Sequence, residues 1–532
     1  MEIQWSKPRY ILWLALGLTI GLRLFFIHIQ FFNVDEAVSA VAANAILDGG
    51  LPYLDAIDHR GPLTYYAYSL IFAIWGKNHM IAVHWIYLFL TLVITGLVWL
   101  TGYQIKGNIL GSWSALLFAV FTWTNPFHEM WAAHTEWLLL LFTLLGLNAY
   151  LFYWRSIETL SGWEKVLLLM ITGFFLGMAV LSKQVAALDL AAIMGFIFIS
   201  TVTGNKHLRQ SIGECLLLSL GWVIPIGMTI FYFWWHQALE DFYFYVWQYN
   251  TEYYLPQITW ADRLEAWAKL WGGFLINKWL LVVLWGVGFM QMLKWKKIIQ
   301  PENQPLFFIF LWLAATIFEA LSGSRAFLHY LIPALPAMVI IAAWALIRVI
   351  DSLKTERIDL KAFVYGGMII GLCFPVIYTF IQYRDIIDHD ASITEFKDLT
   401  TYVEANSLEE ETIFVWGFAP EIYVLSNRKP ASRYSFCNVL TGYLPAVNED
   451  KENTDELIVP GTWEIFIKEL QTNQPRFIID TQPGDYRAYG KYPMNRYRAL
   501  NEFLNQYYKK DSLFQQNHPS VIFDLYKRIE HP

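Results

Sequence analysis

The chain of 532 residues is 56% hydrophobic and only 16% charged, where an ordinary soluble domain carries about 25% charged residues. Positions 1–381 hold 22 basic and 22 acidic residues, and positions 382–532 hold 16 basic and 23 acidic, so the net charge of −7 belongs to the last segment. This composition excludes a wholly soluble enzyme and leaves no basic surface for nucleic acid.

In chain order, Lys7 and Arg9 precede an apolar run starting at Tyr10 that lacks a small-residue cleavage site, so it reads as a retained span. Runs long enough to cross a bilayer, roughly 20 apolar residues each, fall near 10–31, 80–101, 109–125, 135–154, 166–182, 185–203, 212–235, 273–293, 305–322, 331–350 and 362–381. Eleven spans put the termini on opposite sides. With the N-terminus cytoplasmic, 14 of the 22 Lys and Arg residues before position 382 fall on the inside, as the basic bias of inner loops requires. The expectation is an α-helical polytopic protein of the cell (inner) membrane: a transmembrane domain over 1–381, with long outer loops 32–62 and 236–272, and a soluble α/β domain over 382–532 outside the cytoplasm.

Within the second outer loop, the stretch Phe242–Tyr254 is dense in aromatic rings, which suit either an interfacial belt or stacking on sugar. Trp260, Leu264, Trp267 and Trp271 then recur at helical spacing, as in a helix lying in the interface. In the last segment, 412–416, 476–480 and 521–525 read as buried strands, separated by helical patterns near 395–406, 461–471 and 495–506. Three cysteines build no disulfide framework. The spacing of His128, Glu129 and His134 matches no zinc pattern.

Chemistry concentrates in the first outer loop. Asp35-Glu36 open a helical pattern over 36–47, and Asp58-His59-Arg60-Gly61-Pro62 follows. A carboxylate there can accept a proton from an attacking hydroxyl, and an Arg fork can hold a phosphate. Equally, Asp35 and Glu36 can cap the helix.

This arrangement resembles the GT-C superfamily of membrane glycosyltransferases, particularly family 39, which contains the protein O-mannosyltransferases and the lipid A aminoarabinose transferases. The resemblance covers about residues 10–380. It rests on Asp35-Glu36, the short helix after them, and His59-Arg60-Gly61-Pro62-Leu63-Thr64-Tyr65-Tyr66, with weaker matches at Thr135-Glu136, Ser182-Lys183-Gln184 and Arg325-Ala-Phe-Leu-His329-Tyr330. Position 59 departs from the aminoarabinose pattern, where an acidic residue tends to precede the basic one, which argues against that sugar.

The resemblance implies inverting transfer of a sugar from a polyprenyl phosphate to a lipid, glycan or protein hydroxyl at the outer membrane face. Asp35 and Glu36 would be catalytic, and His59, Arg60, Glu136, Lys183, Arg325, His329 and Tyr330 would bind substrate or phosphate. No cofactor is demanded, and a divalent cation is compatible with the site. A polysaccharide ligase or polymerase using a diphosphate carrier, and a lipid or sugar transporter, are the competing readings; a transporter would place its ionisable residues near the bilayer midplane.

Overall fold

A computed structural model describes residues 8–122, 127–293, 303–322, 327–354, 356–381, 396–445, 447–514 and 522–529. The chain divides into two compact units, one of Met1–His28, Val83–Tyr232 and Ala261–Arg384, the other of Ile29–Ala82, Phe233–Trp260 and Asp385–Pro532. The division does not follow a single cut after residue 381. Rings of segments 53–65 and 233–254, Tyr53, Tyr65, Phe233, Tyr245, Tyr249 and Tyr254 among them, share one apolar core with Phe414, Trp416 and Tyr434 of the C-terminal segment.

The first unit is helical, and the chain is an integral membrane protein. Among the described residues nine helices are long and apolar enough to cross a membrane, from Pro8–Phe25 to Ile358–Ile381. A tenth candidate is a broken pair, Trp260–Ile276 and Lys278–Met292, bent by 102° at Lys278, whose backbone is non-helical. The eleventh expected span, Asn108–Phe121, has only 14 residues; at 1.5 Å per residue it covers about 21 Å, short of the ~30 Å hydrocarbon core. Sequence hydropathy found these two segments but not their lengths, and it did not mark the short apolar helix Leu63–Trp75.

Small residues set the helix spacing. Gly173 and Gly177 lie on the Gly162–Ser182 helix, and a Cβ on either would run into the backbone of the Leu208–Trp235 helix at Leu218 and Trp222. Such a small-xxx-small face lets membrane helices approach closely. Arg23, inside the first span, donates to the carbonyls of Met130 and Trp131 at 3.4 Å each and lies 5.0 Å from the Trp137 ring, so its charge is met by protein. Leu264 is exposed, as an interfacial helix needs, whereas Trp267 donates its Nε1 to the Leu321 carbonyl at 3.1 Å.

The second unit carries a five-stranded mixed sheet of order β2-β1-β3-β5-β4, made of β1 (Thr412–Trp416), β2 (Lys429–Pro430), β3 (Phe477–Asp480), β4 (Tyr508–Lys510) and β5 (Asp524–Arg528). β1 runs parallel to β2 and β3, while β5 is antiparallel to β3 and β4. Helices Phe396–Ala405, Thr462–Asn473 and Arg498–Tyr507 accompany it, so the expected α/β pattern is present. The last strand begins three positions later than the apolar run suggested, because its register follows β3, Leu525 opposite Ile479.

The aromatic stretch is core in part, while its Tyr243 and Trp247 stay exposed. It forms a π-helical segment, Phe244–Tyr254, whose Tyr245, Tyr249 and Tyr254 are buried in the core of this unit. Hydrogen bonds from Ile57 N–H to the Arg433 carbonyl (3.0 Å) and from Lys451 Nζ to Gln257 Oε1 (2.9 Å) tie both outer loops to the C-terminal segment.

Candidate functional site

The helix after the first span runs from Val34 to Leu47, and its cap answers the question left open by Asp35-Glu36. Asn33 is the N-cap, accepting from the N–H of Asp35 at 3.0 Å. Glu36 completes the capping box: its Oε2 accepts from the N–H of Phe32 (2.7 Å) and of Asn33 (3.3 Å), and the residue is only 1% exposed. The pair expected to act together is thus split. Glu36 is occupied by the backbone, and the Asp35 carboxylate turns to Arg60.

Arg60 bridges two carboxylates, pairing through Nη2 with Asp35 and through Nη1 with Asp58 Oδ2 at 2.8 Å. The Tyr65 hydroxyl also donates to Asp58 Oδ2, at 2.8 Å. On the other oxygen, His59 Nδ1 lies at 3.1 Å and the His59 N–H donates at 2.8 Å. Burial by itself would raise the Asp58 carboxyl, but Arg60, His59 and Tyr65 outweigh it and hold the group well below the usual carboxylate range.

The loop around this pair is fixed from behind. The buried Tyr53 hydroxyl donates to the Arg60 carbonyl at 2.6 Å, Asn250 Nδ2 donates to the His59 carbonyl at 3.3 Å, and the His59 ring stacks on Tyr254 at 6.5 Å. Arg487 is a further cation, near enough to interact with the Asp35 charge. Glu421 holds its guanidinium at 2.6 and 3.2 Å, and the Phe418 carbonyl accepts from it at 2.8 Å. Asp58 and Arg487 had no role in the sequence reading. Glu421 and Arg487 are 66 positions apart, and the sequence alone does not pair them.

Glu136, Lys183, His329 and Tyr330 belong to the membrane unit. Lys183, where the Gly162–Ser182 helix ends, pairs with Glu136 in the first turn of Thr135–Ser156 at 2.6 Å and lies 3.8 Å from the Tyr330 ring centroid. His329 sits in a short 3₁₀ turn, Leu328–Leu331, with Nδ1 2.5 Å from Glu129 and Nε2 3.9 Å from Glu136. Its ring stacks on His134 at 4.0 Å. Burial would lower the His329 imidazole, but Glu129 and Glu136 outweigh it and raise the group, favouring the charged form. Arg325 lies outside the described residues.

Further inside this unit, Asp189 accepts from Thr143 Oγ1 (2.5 Å) and Trp312 Nε1 (2.8 Å), and Glu319 is buried beside it. Asp189 lies in the first turn of Ala187–Val202 and Glu319 in the last turn of Gln304–Ser322. Both acids are near helix ends in sequence, while the partners of Asp189, Thr143 and Trp312, lie well inside their own spans.

No protein-family model matches the chain, and no curated protein matches it by sequence. Solved structures do. The oligosaccharyltransferase of Archaeoglobus fulgidus, tethered to an acceptor peptide containing an NVT sequon, matches with a TM-score of 0.58 at 13% identity over 98% of this chain and 74% of that one. ArnT from Cupriavidus metallidurans matches over 97% of this chain and 98% of that one, with a TM-score of 0.59 at 11% identity in the apo state and 0.56 at 14% identity bound to undecaprenyl phosphate. The chain shares the fold of these solved structures.

Proposed function

We propose that the chain transfers a sugar, with inversion, from a polyprenyl-phosphate donor to an acceptor hydroxyl at the outer face of the membrane. The observation carrying this reading is the separation of roles at the first outer loop: Asn33 and Glu36 build the helix cap, and Asp35 stands beside Arg60. In the proposed step the Asp35 carboxylate takes the proton of the acceptor hydroxyl as its oxygen attacks the anomeric carbon. The bond from that carbon to the phosphate oxygen breaks on the opposite face, and the polyprenyl phosphate leaves with its electron pair. Arg60 and Arg487 supply planar cationic donors for the phosphate, while Asp58 and Glu36 hold Arg60 and the helix end in position.

Glu136, Lys183, His329 and Tyr330 are proposed substrate ligands in the membrane unit, and Arg325 keeps that role from the sequence. Carboxylates and imidazoles such as Glu129, Glu136 and His134 are also the ligand types that a divalent cation takes. The N-terminus is proposed to be cytoplasmic and the C-terminal segment extracytoplasmic.

The test is purified protein in liposomes given polyprenyl phosphates carrying radiolabelled hexoses and pentoses, with membrane extract as acceptor. Movement of label that depends on Asp35 supports the reading. Vectorial movement of the intact lipid or sugar without transfer would replace it with transport.

A further inference from the structure

Helix Val34–Leu47 has Asp35 in its first turn and an open cleft of about 1100 Å³ at its other end. Asp48 ends the helix, and Gly49, with φ +89°, turns the chain away. Fourteen helical residues separate the two places by about 20 Å. The cleft belongs wholly to the second unit. It is walled by the end of this helix, by Lys77-Asn78, by the β2 edge and by Arg433 with Glu469. Its volume is at the top of the range for small-ligand pockets, about 300–1,000 Å³, and suits an extended ligand.

The chemistry of the walls narrows the class. Four basic and five acidic side chains line the cleft, so it has no strong preference for a polyanion or a polycation. Most of these charges are interlocked: Asp48 with Lys77 and with Lys429 at 3.1 Å, and Arg433 with Glu469 at 2.7 Å. Between them runs a ladder of amides, Asn44 Nδ2 to Asn78 Oδ1 at 2.6 Å and Asn78 Nδ2 to Asn427 Oδ1 at 2.7 Å. The buried Oδ1 of Asn44, at the head of this ladder, has no hydrogen-bond partner. Buried acceptors are normally satisfied, and this one belongs to a residue that lines the cleft.

A peptide laid on as an added strand is disfavoured, because the edge strand β2 is two residues long and includes Pro430. A lipid tail needs a continuous apolar wall, which these polar side chains interrupt. Amides and paired carboxylates and cations, offering donors and acceptors side by side, match a neutral or zwitterionic chain of hydroxyl-bearing rings.

We propose that this cleft binds a glycan acceptor, several sugars long, holding it at the end of helix Val34–Leu47 remote from Asp35. The proposal rests on the transferase reading and names its acceptor class.

The experiment is an array of immobilised bacterial oligosaccharides, probed with the detergent-solubilised full chain and with the variants Asn78→Asp and Lys429→Met, each checked for an unchanged melting temperature. Lys429 is about half exposed, so its replacement leaves a folded protein even if Asn78→Asp does not. The expected result is saturable binding to longer chains, weakened about tenfold in a folded cleft variant, as losing one or two ligand hydrogen bonds implies. Absence of binding to any oligosaccharide, or equal binding by the folded variants, overturns the proposal. Sugar transfer to peptide or lipid without glycan binding overturns it and leaves the transferase reading intact. Glycan binding without transfer from any polyprenyl-phosphate sugar removes that reading instead.

Discussion

Arg60 forms an ion pair with Asp35 through one arm of its guanidinium while the other arm grips Asp58, 3% exposed, at 2.8 Å. Neither carboxylate is paired by chance of surface proximity: Tyr65, His59 and Tyr53 fix the loop so that the arms diverge. Replacing Arg60 with Ala strands the Asp58 charge, and losing one partner of a buried pair costs about 3–5 kcal/mol. Arg60→Ala should therefore lower the melting temperature as well as donor use. Arg60→Lys keeps a charge but cannot bridge, and should recover part of the stability and less of the activity. Thermal unfolding and donor titration of both variants check this.

Glu36 provides the contrast with Asp35. A Gln at the third helical position serves a capping box as well as Glu does, so Glu36→Gln should retain stability and transfer, whereas Glu36→Ala should lose about 1 kcal/mol. A Gln variant that is folded but inactive would return Glu36 to the chemistry.

Asp480 stands directly opposite Asp524 in the β3–β5 ladder. Burial first, and Asp524 second among the raising influences, push its carboxyl from 3.8 to about 6. A raised folded-state value means the native state holds the extra proton. Its contribution is full below about pH 3.8 and is lost as pH rises through about 6, amounting to roughly 3 kcal/mol. Asp480→Asn should make the C-terminal segment more stable at pH 7.5 and leave it unchanged at pH 3.5, as read by denaturant midpoints at the two pH values.

Alkaline phosphatase fused at the C-terminus should be active if the basic inner segments orient the chain as proposed. Activity instead from a reporter that works only in the cytoplasm would reverse the orientation and remove the outer-face assignment.

Strand β1 was legible to the residue, because Thr412–Trp416 is a short β-branched and aromatic run between polar segments. The start of β5 was not, since the apolar run from Val521 carries no mark of where pairing with β3 begins. At the site, Asn33-x-x-Glu36 is itself a capping-box pattern; that signal was present in the sequence and assigns Glu36 its role. The Glu421–Arg487 pair had no such signal, being made by chain closure across a sheet. Asn108–Phe121 misled because hydropathy reports polarity and not where a helix stops.

The central claim, that Asp35 is the base, is tested by sugar transfer with Asp35→Asn. Asn keeps the shape and cannot accept the proton, and losing a positioned base costs about 10²–10⁴-fold in rate. The expected variant is folded and membrane-inserted, binds donor, and transfers at a rate lower by that factor. Turnover near that of the unaltered protein would contradict it.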